Sequence, residues 1–330
     1  MSNLLQVTDL SVTYDTSSGP VTAVDHVDLD VQAGEFVGIV GESGCGKSTL
    51  LFAIAQLLTS PAAIAGGEVI FRGRNMVAMN ASELAPIRWR NMSVVMQSAM
   101  NALNPVKRIR AQYADAMKAH GIRSKAEIRQ RSEEALDLVG IDRTHLNSYP
   151  HQLSGGMRQR AMIAMALLFT PELVIMDEPT SALDVVAQRS LMLQIKELQQ
   201  QLGFAVIFVT HDMSLVSHFS DRLMVMYAGQ EMEYGPTRQV FDSPAHPYSQ
   251  GLLDAFPQIK GPRIPLQGIP GAPPNLASMP PGCRFEPRCP ARFDDCAVIE
   301  PELYDVAGVQ ARCLLHDPAH RDNSGLGVAR

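Results

Sequence analysis

The chain has 330 residues, 46% of them hydrophobic and 19% charged, which suits two domains, or one large domain with an appended module, and a sizeable core. Its 34 acidic against 28 basic residues leave a net charge of −6, without the positive footprint that grips a phosphate backbone, so nucleic acid is not an expected partner. No apolar run reaches the ~18 residues of a membrane span. Residues 1–9 lack the basic start and apolar stretch of a secretory signal, so a cytoplasmic chain is expected, its five cysteines thiols or ligands rather than disulfides.

In chain order, residues 4–31 alternate apolar and polar positions (Leu5, Val7, then Val27, Leu29, Val31) around a Ser-Ser-Gly-Pro turn, the period of half-buried antiparallel strands. Residues 35–40, 173–176 and 205–209 are short Val/Ile-rich runs, which suit parallel strands covered on both faces. Helix is expected over 50–58. Between the first two of those runs the texture is helical, clearest over 124–140, where Ala126, Ile128, Ala135, Leu136, Leu138 and Val139 recur with helical period. Met157, Met162 and Met165 at helical spacing are expected to pack a core, and Gln199-Gln200-Gln201 reads as an exposed helix end. From Pro236 onward lie 15 of the 22 prolines and four of the five cysteines, which predicts a separate loop-rich extension. There is no internal repeat.

The strongest chemical signal is Gly41-Glu42-Ser43-Gly44-Cys45-Gly46-Lys47-Ser48-Thr49, a full match to a phosphate-cradling loop between a predicted strand and a predicted helix. Its glycines let successive backbone N–H groups turn toward phosphates, and the helix presents its positive end to them. Lys47 reaches the β and γ phosphates, and the Ser48 hydroxyl can ligate magnesium. Cys45 occupies a position the motif leaves free. Leu173-Val174-Ile175-Met176-Asp177-Glu178 then delivers two carboxylates at the end of an apolar strand, where open α/β sheets bind ligands. Asp177 there suits magnesium and Glu178 an attacking water.

Leu153-Ser154-Gly155-Gly156-Met157-Arg158-Gln159-Arg160 is a second helix N-terminus of the phosphate-binding kind. With it the sequence resembles the ATP-binding subunits of ABC transporters, whose signature reads Leu-Ser-Gly-Gly-Gln. Met157 stands where that glutamine is usual, with Gln159 close behind, and the methionine variant is common among peptide-importer subunits. The resemblance implies an α/β P-loop NTPase fold: a RecA-like core with an antiparallel β subdomain and a helical signature subdomain at about 98–165, together spanning 1–235. The extension, 236–330, contains Pro244-Ala245-His246-Pro247-Tyr248-Ser249, which looks like the His-Pro-Tyr segment of oligopeptide and dipeptide importers.

The same resemblance implies roles for single residues. ATP would be held by Gly41, Ser43, Gly44, Cys45, Gly46, Lys47, Ser48 and Thr49, with Tyr14 stacking on adenine. Magnesium would be held by Ser48, Asp177 and Gln97, the last in a loop that couples the site to membrane subunits. Glu178, His211 and Lys47 would be catalytic. Ser154, Gly155 and Gly156 would reach the γ-phosphate bound by a second ATPase subunit, which the peptide-importer resemblance makes a paralogue, and Ser181-Ala182-Leu183-Asp184 would cross that interface. Two membrane permease subunits and an extracytoplasmic solute-binding protein are the further implied partners, placing the chain on the cytoplasmic face of the inner membrane. Peptides lead as cargo, with nickel chelates, glutathione or oligosaccharides as alternatives. A non-transport relative in DNA repair or translation is disfavoured by the absence of long heptads and of a second phosphate loop, and a GTPase by the absence of Asn-Lys-x-Asp.

Cys283, Cys289, Cys296 and Cys313 are spaced C-x5-C-x6-C-x16-C, with Pro290 after the second. Four thiols in a segment with few core-building residues read as a ligand set. The close cysteine pairs of structural zinc are absent, whereas iron–sulfur clusters accept wider spacing and a Cys-Pro element recurs in ferredoxins. A [4Fe–4S] cluster is therefore expected ahead of unmetallated thiols or zinc, and some peptide-importer ATPases, which the extension resembles, hold one.

Overall fold

The computed structural model describes residues 3–97, 102–181, 183–255 and 268–320. In chain order its strands are β1 (Leu5–Thr16), β2 (Gly19–Val31), β3 (Phe36–Val40), β4 (Ala62–Phe71), β5 (Arg74–Asn75), β6 (Met92–Val95), β7 (Leu173–Asp177), β8 (Ala205–Val209), β9 (Arg222–Tyr227), β10 (Gln230–Pro236), β11 (Tyr304–Val306) and β12 (Val309–Ala311). Its α-helices are α1 (Lys47–Ile54), α2 (Ala81–Leu84), α3 (Ile109–Ala119), α4 (Lys125–Leu138), α5 (Gly155–Ala166), α6 (Val185–Leu202), α7 (Met213–Phe219), α8 (Thr237–Asp242) and α9 (Pro247–Asp254). The chain forms two compact units. One comprises Met1–Asn3, Val31–Phe36 and Ala78–Val209, the other Leu4–Asp30, Val37–Val77 and Thr210–Arg330.

In the first unit β6, β7 and β8 run parallel, with Met92 opposite Leu173 and Leu173 opposite Ala205. Every residue of β7 and β8 is buried, as unbroken apolar runs require when both faces of a sheet are covered. Helix α4 begins where Ser124 accepts a hydrogen bond from the Glu127 N–H and ends before Gly140, whose φ of +66° only glycine adopts freely. Helix α3 is tied to α5 by the buried Tyr113 hydroxyl, which donates to the Ala161 carbonyl at 2.6 Å. Two expectations are corrected here. Of the glutamine run, Gln200 and Gln201 are exposed at the end of α6 as expected, but Gln199 is buried and its side-chain amide donates to the Gly34 carbonyl. Of the three methionines, only Met162 is fully buried.

In the second unit an antiparallel sheet has the order β2-β1-β4-β5, with Leu5 opposite Phe71 and Tyr14 opposite Ala62. Residues 62–75 were expected within a helical stretch and are strands instead. Their Ala and Gly positions dilute the period-2 pattern, so pairing against β1 decides the conformation. A second set of strands runs β11-β12-β10-β9-β3, in which only β3 and β9 are parallel.

The segment after Pro236, expected as a separate module, thus supplies the outer hairpin of this sheet. It turns at Ala307 and Gly308, both with positive φ, and satisfies the otherwise open edge of β10. Beside that edge Arg312 donates to the Glu231 carboxylate at 2.8 Å and to the Glu231 carbonyl at 3.1 Å. Burial pushes the Glu231 carboxyl up to about 7 against the pull of the guanidinium. Replacing Arg312 with alanine leaves that carboxyl buried without its cation and should cost about 3–5 kcal/mol in chemical denaturation, most of which Arg312→Met combined with Glu231→Leu should restore.

Candidate functional site

The phosphate loop lies in the second unit, between β3 and α1. Gly41 has φ +151° and a Cβ there would stand 2.1 Å from the Met226 carbonyl oxygen; Gly46 has φ +102° and its Cβ would stand 2.2 Å from that of Ala23. Any side chain at either position would push the loop off the strands behind it. Ser43 and Gly44 are exposed, and Cys45 is buried, which raises its thiol pKa. Lys47 is buried with its ammonium donating to the Gly41 carbonyl at 2.8 Å and the Glu42 carbonyl at 2.9 Å. Both are groups of the loop itself, so the cation is held at the cradle before any phosphate arrives. Ser48 sits in the first turn of α1, and Thr49 shares a 3.1 Å hydrogen bond with the Tyr14 hydroxyl. Tyr14 on β1 and the end of the loop are therefore neighbours. His211 is exposed after Thr210, whose N–H donates to the Ile39 carbonyl at 3.2 Å.

The carboxylates lie in the first unit. Asp177 closes β7 and is buried. Glu178 follows it with φ +44°, a conformation rare for residues other than glycine, and its N–H donates to the Val209 carbonyl at 3.0 Å. Gln97 donates to the Glu178 carboxylate at 2.8 Å, so the two residues assigned to water and magnesium meet directly. Ser154 is the exposed N-cap of α5 and accepts from the Met157 N–H at 3.2 Å, with Gly155 and Gly156 opening the helix. Asp184 caps α6 through the Ala187 N–H, while Ala182 lies outside the described residues.

Two residues that bear on this loop carried no sequence assignment. Gln159 does not substitute for the signature glutamine: it is buried and donates to the Pro179 carbonyl at 2.7 Å, tying the signature helix to the carboxylate loop. Gln188 donates to the Thr180 and Leu183 carbonyls, both at 3.1 Å. A glutamine one turn into a helix is a usable signal only when an acceptor is known to face it.

In the extension Cys283, Cys289, Cys296 and Cys313 line one small enclosed cavity together with His246 and Phe285. Burial pushes the Cys283 and Cys289 thiols up to about 11 and that of Cys313 up to about 12. Among the described residues, no group of three or more His, Cys, Asp or Glu side chains could hold a metal ion. No described helix is long and apolar enough to cross a membrane.

A phosphate loop leading into a helix, a buried strand ending in Asp-Glu and a Ser-Gly-Gly helix N-terminus define an ATP-binding cassette. The ABC transporter family model matches residues 24–181, and the model of the oligopeptide/dipeptide transporter C-terminal region matches 232–296. Among solved structures the chain is similar to a dimeric bacterial ABC transporter cassette, MJ0796, at 30% identity with a TM-score of 0.64, covering 71% of this chain and 99% of that one. It is 45% identical to the oligopeptide transport ATP-binding protein OppD of Salmonella typhimurium, over 89% of this chain and 88% of the relative. It is 38% identical to the dipeptide transport ATP-binding protein DppD of Caldanaerobacter subterraneus, over 96% and 98%. The chain belongs to the family of ABC oligopeptide/dipeptide transport ATP-binding proteins, with the P-loop NTPase fold expected of it.

Lys47→Ala removes the only side-chain cation of the loop. It should weaken ATP binding by about 10-fold to 100-fold in a fluorescent-nucleotide titration, with the thermal stability of the unliganded protein nearly unchanged.

Proposed function

We propose that this chain hydrolyses ATP to energise the import of peptides through partner membrane subunits. The observation that carries this reading is the similarity, at 45% identity over nearly the whole length, to relatives named for oligopeptide transport, in cassette and C-terminal region alike. Two permease subunits, an extracytoplasmic solute-binding protein and a second, paralogous ATPase are the partners this reading needs, and it places the chain peripherally on the cytoplasmic face of the inner membrane.

Each residue then has a task. Loop amides and Lys47, released from the Gly41 and Glu42 carbonyls, take up the phosphate charge. Ser48, Asp177 and Gln97 would hold magnesium, and an oxygen-rich set with a buried strand-end carboxylate suits that hard cation. The ion would neutralise charge across the phosphates. Glu178 orients the attacking water, and His211 steadies the γ-phosphate. Ser154, Gly155 and Gly156 act on nucleotide held by the second ATPase, so a complete site takes two chains. Tyr14 stacks on the base.

Glu178→Gln should keep ATP binding and lower turnover in the assembled transporter by about a hundredfold or more, because the water loses its base while the phosphate cradle stays. Turnover at the wild-type rate would remove Glu178 from that role.

A second reading concerns the four cysteines. We propose that they hold a [4Fe–4S] cluster, which would order the extension. One feature supports it: all four cysteines line a single small cavity. Anaerobic purification followed by visible absorption and iron and sulfide analysis should give a brown protein with four irons. A colourless, iron-free protein after reconstitution would overturn the assignment, and stoichiometric zinc would replace it.

A further inference from the structure

The extension touches the phosphate loop through two side chains that no catalytic role has used. Arg288 is buried in the turn Glu286–Arg288 just before Cys289, and its five N–H groups all find acceptors. Nη1 and Nη2 donate to the two carboxylate oxygens of Glu42, at 2.7 and 2.9 Å, the parallel fork that fixes a carboxylate in direction as well as place. The rest go to the Tyr227 hydroxyl at 3.2 Å, the Pro270 carbonyl at 2.8 Å and, more weakly, the Ile269 carbonyl at 3.4 Å. Glu42 is the second residue of the loop. Its own N–H donates to the Tyr248 hydroxyl at 3.0 Å, and its carbonyl is one of the two that hold the Lys47 ammonium.

Tyr248 belongs to the His-Pro-Tyr segment, and the local chain explains its aim. The His246 ring accepts from the Tyr248 N–H at 2.9 Å to cap α9, Pro247 opens that helix, and the Glu233 carboxylate accepts from the Ala245 and His246 N–H groups at 2.8 and 3.0 Å. The Tyr248 ring packs at 4.6 Å from that of Tyr227 and 5.2 Å from that of Phe285. Beside it Arg284, just after Cys283, donates to the Ala228 carbonyl and to Asp25, while Gly229 N–H donates to the Cys45 carbonyl at 3.0 Å. The stretch between the first two cysteines thus reaches the loop's second residue and the turn that abuts its fifth.

We infer that Tyr248 and Arg288 are positioning residues of the nucleotide site: by holding the N–H and the carboxylate of Glu42 they fix the start of the phosphate loop and the resting place of Lys47. The inference rests on reading residues 41–49 as the nucleotide loop, and it gives the His-Pro-Tyr segment a physical task. Neither side chain touches the phosphates, so the effect runs through Glu42. A loop held at its first turn loses less freedom when ATP orders it, which lowers the free energy of binding without altering the chemical step.

The test uses the full chain, purified anaerobically, titrated with a fluorescent ATP analogue and Mg2+, and the same variants in the assembled transporter for steady-state kinetics. Tyr248→Phe keeps the ring and its packing and removes only the acceptor, and should weaken binding about threefold; Arg288→Ala should weaken it about tenfold, with Arg288→Lys between wild type and Ala. KM for ATP should rise in step and kcat stay within about twofold. Arg288→Ala with Glu42→Gln should be no weaker than the weaker single variant, because both act on one contact.

Lys47→Ala separates the two levels of the reading. If it binds as wild type does, the loop itself is misassigned. If it fails to bind while Tyr248→Phe and Arg288→Lys bind as wild type does, only the positioning role is overturned. Multiplying losses in the Arg288/Glu42 double variant would likewise overturn the route through Glu42. Should Arg288→Ala not fold, Tyr248→Phe and Arg288→Lys carry the decision.

Discussion

The close seating of Gly41 and Gly46 on backbone is the constraint from which the second unit follows. With 2.1 and 2.2 Å between a hypothetical Cβ and the Met226 and Ala23 carbonyls, no side chain can stand between the loop and strands β9 and β2. The loop's geometry is therefore that of the strands it lies on. Gly229, at the turn into β10, completes the seat by donating to the Cys45 carbonyl while its own carbonyl accepts from the Asp25 N–H. Anything anchored on β9 and β10 is in mechanical register with the phosphate cradle.

The extension is anchored there through both buried charge and apolar contact. Arg284, Arg288 and Arg312 are each largely buried and each meets a carboxylate, on Asp25, Glu42 and Glu231. Buried ion pairs contribute little net stability, because desolvation offsets much of their attraction. They do impose direction, and a segment with few core-building residues needs direction. The small aromatic cluster of Tyr227, Tyr248 and Phe285 supplies the apolar contact around which these pairs are set.

In the first unit the loop after β7 is held differently. Gln97, Gln159 and Gln188 donate to Glu178, Pro179, Thr180 and Leu183. The positive φ of Glu178 is maintained by this bonding and by the strand pairing that brings the Val209 carbonyl to its N–H.

Sequence by itself marked the candidate motifs and the strands β3, β7 and β8, because these are local: a glycine-rich loop with Lys47 and Ser48, an apolar run ending in Asp177 and Glu178, and a Ser154 helix start each declare themselves within ten residues. It also marked helix α4 to within a residue or two, through its period. What only tertiary structure decided were contacts between residues far apart in the chain. The strands at 62–75 depend on pairing with β1 rather than on their own weak alternation, and Gln199 is buried because Gly34 offers it a carbonyl. Arg288 and Glu42 lie 246 residues apart, and Tyr248 and Glu42 lie 206 apart. No local pattern encodes an arginine's partner at that distance, since a bidentate pair depends on the direction of two side chains that the fold alone brings together.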